Sequence, residues 1–107
     1  MSMIDDVYVA GGIGSGINMR NAVNIGMFPD IPLEKFHYIG NSSLTGSYLM
    51  LLSTEAEKKT YELAANMTYM ELSTVPTYMD EFVGACFIPH TDTGMFPDVM
   101  NDLQNRK

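Results

Sequence analysis

Apolar and polar positions alternate along this chain in short blocks, and the blocks change period. Ile4–Ala10 (IDDVYVA) is a valine- and tyrosine-bearing run that stops at paired glycines, the outline of a strand. Gly11-Gly12-Ile13-Gly14-Ser15-Gly16 follows as a turn with four glycines in six positions, where the backbone is free to take positive φ and to approach another group closely. Asn18 reads as the N-cap of a helix over Met19–Ile25, with Gly26 as its C-terminal stop and Pro29 just beyond. Phe28–Lys35 holds two prolines and reads as a surface connection; Phe36–Ile39 is a second short strand, closed by Gly40.

The next blocks have helical period. Asn41 or Ser42 caps Ser43–Leu52, whose Leu44, Tyr48, Leu51 and Leu52 share a face. Gly46 inside it costs about 1 kcal/mol against alanine, which a close contact at that turn would explain. Thr54-x-x-Glu57 is a capping box for a helix running to about Asn66, with Tyr61, Leu63 and Ala64 for packing. Thr68–Leu72 predicts a third strand, Ser73–Pro76 a turn, and Thr77–Phe87 a helix with Asp80 and Glu81 at the dipole-favoured end. The segment 91–107 is a polar tail with a short helix over Asp98–Gln104 and a frayed end, so 1–90 forms the main unit. No internal repeat or low-complexity tract stands out. Strands alternating with helices predict an α/β class: a small three-layer-like unit of about three short, mainly parallel strands and three to four helices. A sheet so thin predicts that one face is finished by something outside the chain.

Composition narrows the function. The 107 residues suit one compact unit, too small for a two-lobed nucleotide clamp. Thirteen acids against six scattered bases, net −7, exclude a phosphate-neutralising basic face and hence a nucleic-acid partner. No apolar run approaches the roughly 20 residues that span a bilayer, and Met1–Asp6 carries acids where a secretory leader carries bases, so the cytoplasm is the expected location. Cys86, the single cysteine, excludes an internal disulfide and cannot alone hold an iron–sulfur cluster; its apolar neighbours predict a buried, inert thiol. Ten methionines, Met50, Met67, Met70 and Met79 among them, read as core filler, with a plastic interface as the alternative.

Candidate chemistry centres on the glycine turn. It fails the dinucleotide pattern, because position 17 is Ile17, and no Gly-Lys-Ser/Thr follows to make a phosphate loop. A strand, Gly-Gly, a further glycine and a helix start remain, an arrangement whose exposed amides suit an anion or a nucleotide edge, with a plain tight turn as the alternative. His37 and His90 lack a second ligand at metal spacing and read as structural. Asp5-Asp6, Asp80-Glu81 and Asp30 read as solvated surface, since adjacent acids diverge on a strand or helix.

VYVAGGIGSGI (Val7–Ile17), NMRNAVNIGMFPDIP (Asn18–Pro32) and FHYIGNSSLTGSYLMLLS (Phe36–Ser53) resemble the end of the actin-like ATPase domain of corrinoid protein reductive activators. The likeness continues through Tyr69–Ser73 and Phe82–Pro89. It implies part of a ribonuclease H-like subdomain, a Gly-Gly strand at the adenosine motif, and a second glycine-containing helix start at Gly40–Ser47. Carried over, it places the backbones of Gly11, Gly12, Ile13 and Gly14 against the adenosine and α-phosphate of ATP, with Ser15 and Asn18 as weaker polar candidates. It implies ATP with Mg²⁺ in the parent protein and an iron–sulfur cluster outside this chain. The implied partners are the remaining ATPase lobe, the iron–sulfur domain and a corrinoid protein whose Co(I) form is restored for methyl transfer. The two acidic phosphate loops of such ATPases are missing here, so the chain alone is expected to be inactive. The alternative is a noncatalytic interaction module, derived from that ATPase, that docks on a corrinoid protein or on itself.

Overall fold

The computed structural model describes residues 3–106. Two strands, β1 (Val7–Ala10) and β2 (Phe36–Gly40), pair in parallel. Val7, Tyr8 and Val9 face Phe36, His37 and Tyr38; the register then slips, so that Ala10 pairs with Gly40 and Ile39 is left as a bulge. Six helices accompany them: α1 (Gly12–Gly16), α2 (Met19–Asn24), α3 (Ser42–Leu52), α4 (Thr54–Ala65), α5 (Tyr78–Ala85) and α6 (Pro97–Asn105). The class is α/β, as the alternation of periods predicts.

The local signals that hold are those with a mechanism inside a few residues. Asn18 Oδ1 accepts from the Asn21 amide and starts α2; Asn41 Oδ1 accepts from the Leu44 amide and starts α3. Helix α2 ends in a Schellman motif: Gly26 N–H reaches the Val23 carbonyl and Met27 N–H the Ala22 carbonyl, each at 2.9 Å, with Gly26 at φ 78°. The cap of α4 lies one residue before the expected box, because Ser53 and not Thr54 has the extended backbone a cap needs; Ser53 Oγ accepts from the Ala56 amide.

The third strand does not form among the described residues. Thr68–Glu71 has no neighbouring strand, and local side-chain bonds hold the segment instead. Tyr69 and Ser73 hydroxyls donate to the two Glu71 carboxylate oxygens at 2.6 and 2.8 Å, and Thr74 Oγ1 donates to the Glu71 carbonyl at 2.7 Å. Those bonds, from Tyr69 first and Ser73 second, hold the Glu71 carboxyl below its ordinary range and push the Tyr69 hydroxyl up. Their contribution is therefore present above the ordinary carboxylate range and is lost as pH falls through the lowered value.

The core is small and confined to one end. Val9, Met19, Ala22, Val23, Ile31, Phe36, Phe96 and Val99 are buried, with Ile4, Val7, Ile17, Phe28, Leu33 and Met100 packed around them. Phe96 and Val99 come from the segment expected as a polar tail. Asp30, expected to be solvated, reaches across the chain: its Oδ2 accepts from the amides of Asp98 and Val99 at 2.8 and 3.3 Å and caps α6, whose own N-cap, Phe96, has no side-chain acceptor. Arg20 on α2 meets Asp102 on α6 at 3.3 Å.

This junction also corrects the expectation of no repeat, since Gly-Met-Phe-Pro-Asp occurs twice, at 26–30 and 94–98. The two copies adopt different backbones. Gly26 is left-handed after a helix, whereas Gly94 lies in a 3-10 turn before one, with Pro97 at the first helical position.

From residue 37 to residue 83 nothing is buried. The expected packing faces of α3 and α4 stand in solvent, as do Met67, Met70 and Met79. Cys86 is exposed as well, contrary to its apolar neighbours, because α5 leans on the rest of the chain at Gly84, beneath the His90 ring, and leaves Phe82, Val83 and Cys86 outward. The chain is correspondingly long, 57 × 34 × 23 Å, with a radius of gyration of 17.8 Å. A compact chain of this length would have about 13 Å.

Candidate functional site

Both strands run the same way, so their carboxyl ends lie together, and each carboxyl end leads through glycine into a helix. Gly11 N–H donates to the Gly40 carbonyl at 2.8 Å, which brings the two glycine segments side by side. Gly11 has φ 89° and ψ 177°, a conformation essentially reserved for glycine, and Gly40 has φ 66°. Helix α1 begins directly after Gly11, and α3 begins two residues after Gly40. In α/β sheets the crevice beyond the carboxyl ends of the strands is the usual place for ligands.

The glycines divide by what surrounds them. A Cβ at Gly11, Gly12 or Gly16 would meet nothing within 4 Å, so this backbone edge is open to a visitor. A Cβ at Gly14 would come within 2.9 Å of the Val9 side chain and 3.4 Å of its carbonyl; Gly14 is buried and sets α1 close on β1. Ile13 projects into solvent. Ser15 Oγ donates to the Gly12 carbonyl at 2.8 Å, and Asn18 is committed to capping α2. The stretch expected as a turn is thus a short helix, α1, with Gly11 as its hinge to β1. The bare backbone at Gly11 and Gly12, beside Gly40 and the start of α3, leaves room for a ligand to come close.

Other sequence candidates lie elsewhere. His37 Nε2 and Asp6 Oδ1 are 2.7 Å apart on the outward side of the sheet, where the His37 ring also meets Tyr8 at 5.3 Å. The His90 ring stacks on Phe96 at 6.5 Å, and its Nδ1 accepts from the Asp92 amide, which fixes the proton on Nε2. Among the described residues no three His, Cys, Asp or Glu side chains gather at metal-binding distance, and no helix is long and apolar enough to cross a membrane.

The paired glycine turns at the carboxyl ends of two parallel strands form the candidate site, and comparison with known proteins shows the family. A solved "Reductive activator for corrinoid, iron-sulfur protein" superposes with a TM-score of 0.84 at 51% identity, over 92% of this chain and 16% of that one. The "Corrinoid activation enzyme RamQ" of Eubacterium limosum is 32% identical over 82 residues, 77% of this chain and 14% of the relative. Residues 1–100 match the family described as the C-terminal domain of RACo, the ASKHA domain, and the chain belongs to that family. It spans about one-sixth of the length of these relatives.

Proposed function

We propose that this chain is the adenosine-side portion of an ATP-dependent reductive activator that returns inactive corrinoid methyltransferase proteins to Co(I). The observation that carries the reading is the meeting of Gly11–Gly12 with Gly40–Asn41 beyond the carboxyl ends of two parallel strands. Gly11, Gly12 and Ile13 would offer the open backbone edge to adenosine and α-phosphate. Gly14 would serve the same site from behind, by seating α1 on Val9, while Ser15 and Asn18 would hold the loop's shape.

ATP would supply the free energy for an otherwise uphill electron transfer to cobalt. The electrons would come from an iron–sulfur domain outside this chain, with the cytoplasm as the setting. Phosphoryl transfer needs a metal ion and positioning groups from both sides of a cleft, so hydrolysis would require the remaining lobe.

Calorimetric titration with ATP and AMP, beside Gly12→Val, tests the reading. A Cβ at Gly12 meets nothing in the folded chain, so the variant is expected to fold normally and to lose at least tenfold in affinity for both nucleotides. Equal binding by ATP and AMP would match an adenosine-side site. Silence from the folded wild-type chain would favour a second reading, a noncatalytic docking module, for which the uncovered α3 and α4 speak.

A further inference from the structure

Helix α6 is lightly held. Among its described residues only Val99 is buried, its first amides depend on an acceptor from Asp30, and its ion pair with Arg20 is exposed at both partners. A cleft of about 240 Å³ between Val23, Ile31, Leu33 and Val99 leaves the space beside it partly unfilled. Elements with so few buried contacts open locally while the rest of a fold stays closed.

The core that α6 closes also supports the glycine turn from behind. Val9 belongs to the buried cluster with Phe96 and Val99, and it is the residue on which Gly14 sits, since a Cβ at Gly14 would come within 2.9 Å of the Val9 side chain. Helix α2 makes a second connection. It begins two residues beyond α1, buries Met19, Ala22 and Val23, and presents Arg20 to Asp102 on α6. A close-packed cluster transmits strain, so loss of Val99 on one side of it loosens Val9 and α2 on the other.

We infer that α6 is a clasp that regulates the glycine site: a nucleotide at Gly11–Gly12 tightens α6 on the core, and release of α6 weakens the hold on the nucleotide. The inference rests on the nucleotide reading. Both events bias one two-state element, α6 docked or released, and the coupling between them is reciprocal. Docked α6 is the major form with or without nucleotide, so chemical shifts along α6 stay small. Hydrogen exchange reads the rare released form and carries the signal.

The test is amide hydrogen exchange of the whole chain with and without saturating AMP, beside calorimetric titration with AMP. Amides of 98–104 are expected to exchange about tenfold more slowly with AMP, while those of α4, outside the shared core, keep their rates. Gly12→Val is expected to abolish the slowing. Asp30→Ala removes the acceptor for the Asp98 and Val99 amides from a place outside the glycine turns. It is expected to speed exchange along α6 about fivefold and to lower AMP affinity about twofold, and Asp30→Asn, which keeps an acceptor oxygen, is expected to restore both. Should Asp30→Ala fail to fold, the exchange experiment on the unaltered chain still decides. If AMP binds and Gly12→Val abolishes binding, yet α6 keeps its rates or α4 slows by the same factor, the clasp is overturned and the nucleotide site stands. AMP affinity unchanged in a folded Asp30→Ala chain would overturn the clasp as well. Absence of AMP binding to the folded wild-type chain would overturn the nucleotide reading and the clasp together.

Discussion

Phe96→Ala is expected to cost about 3–5 kcal/mol, the range for deleting a buried aromatic ring from a core. Phe96 is 5% exposed, carries the stack with His90, and belongs to a core of eight buried hydrophobic residues among those described. Small domains rarely hold more than about 5–15 kcal/mol in total, and this chain buries less than most, so the variant is expected to be largely unfolded at room temperature. Urea unfolding followed by far-ultraviolet circular dichroism checks this. A midpoint equal to wild type would mean that residues beyond 91 do not hold the fold together.

Gly26→Ala is the second large effect, about 2–5 kcal/mol. The left-handed backbone at Gly26 costs an L-residue about 1–2 kcal/mol. A methyl group would also overlap the Pro89 carbonyl, which cannot swing aside as a side-chain tip would; displacing it costs about 1–3 kcal/mol more. Gly46→Ala is the contrasting substitution. It has open space and helical backbone, and is expected to be neutral or to stabilise by up to about 1 kcal/mol. Thermal melts of both variants distinguish the two kinds of glycine, and equal melting temperatures would contradict the account.

These two glycines show what could be read from the sequence. Gly26 follows an Asn-capped apolar block and precedes Pro29, so its role as a helix stop is written in neighbouring residues. The strands, α2, α3 and the Asn18 and Asn41 caps are legible for the same reason: each needs only a few consecutive residues. Asp30 is different. Its bonds to the amides of Asp98 and Val99 join positions 68 and 69 apart, and nothing near Asp30 announces them. The doubled Gly-Met-Phe-Pro-Asp was a visible signal for this junction, because Phe96, Ile31 and Val99 all enter the core around the two copies.

The exposed helices fail differently. Apolar period predicts a face that wants burial, and α3 has one; the period does not say which molecule, or which part of a longer one, supplies the cover. The same holds for Met67, Met70 and Met79, where the interface reading fits and the core reading does not. Cys86 follows its helix outward. Thr68–Leu72 had strand composition, but a strand needs a partner, and Glu71 gathered its local hydroxyls instead.

Within the candidate site, the glycine run and the second glycine at Gly40 were both visible, and their meeting was not. That meeting depends on the parallel register, which places the ends of β1 and β2 level despite the bulge at Ile39. Nor could sequence separate Gly14, packed on Val9, from the open Gly11 and Gly12. The distinction requires knowing which side of α1 faces the strand.

The most direct measurement is an amide chemical-shift titration of the isotope-labelled chain with AMP. A site beyond the carboxyl ends of the strands predicts saturable shifts at Gly11, Gly12, Ile13 and Asn41–Ser43, absent in Gly12→Val and weak along α4 and α6. Shifts confined to other regions, or unchanged by Gly12→Val, would contradict the assignment of the adenosine site to this pair of glycine turns.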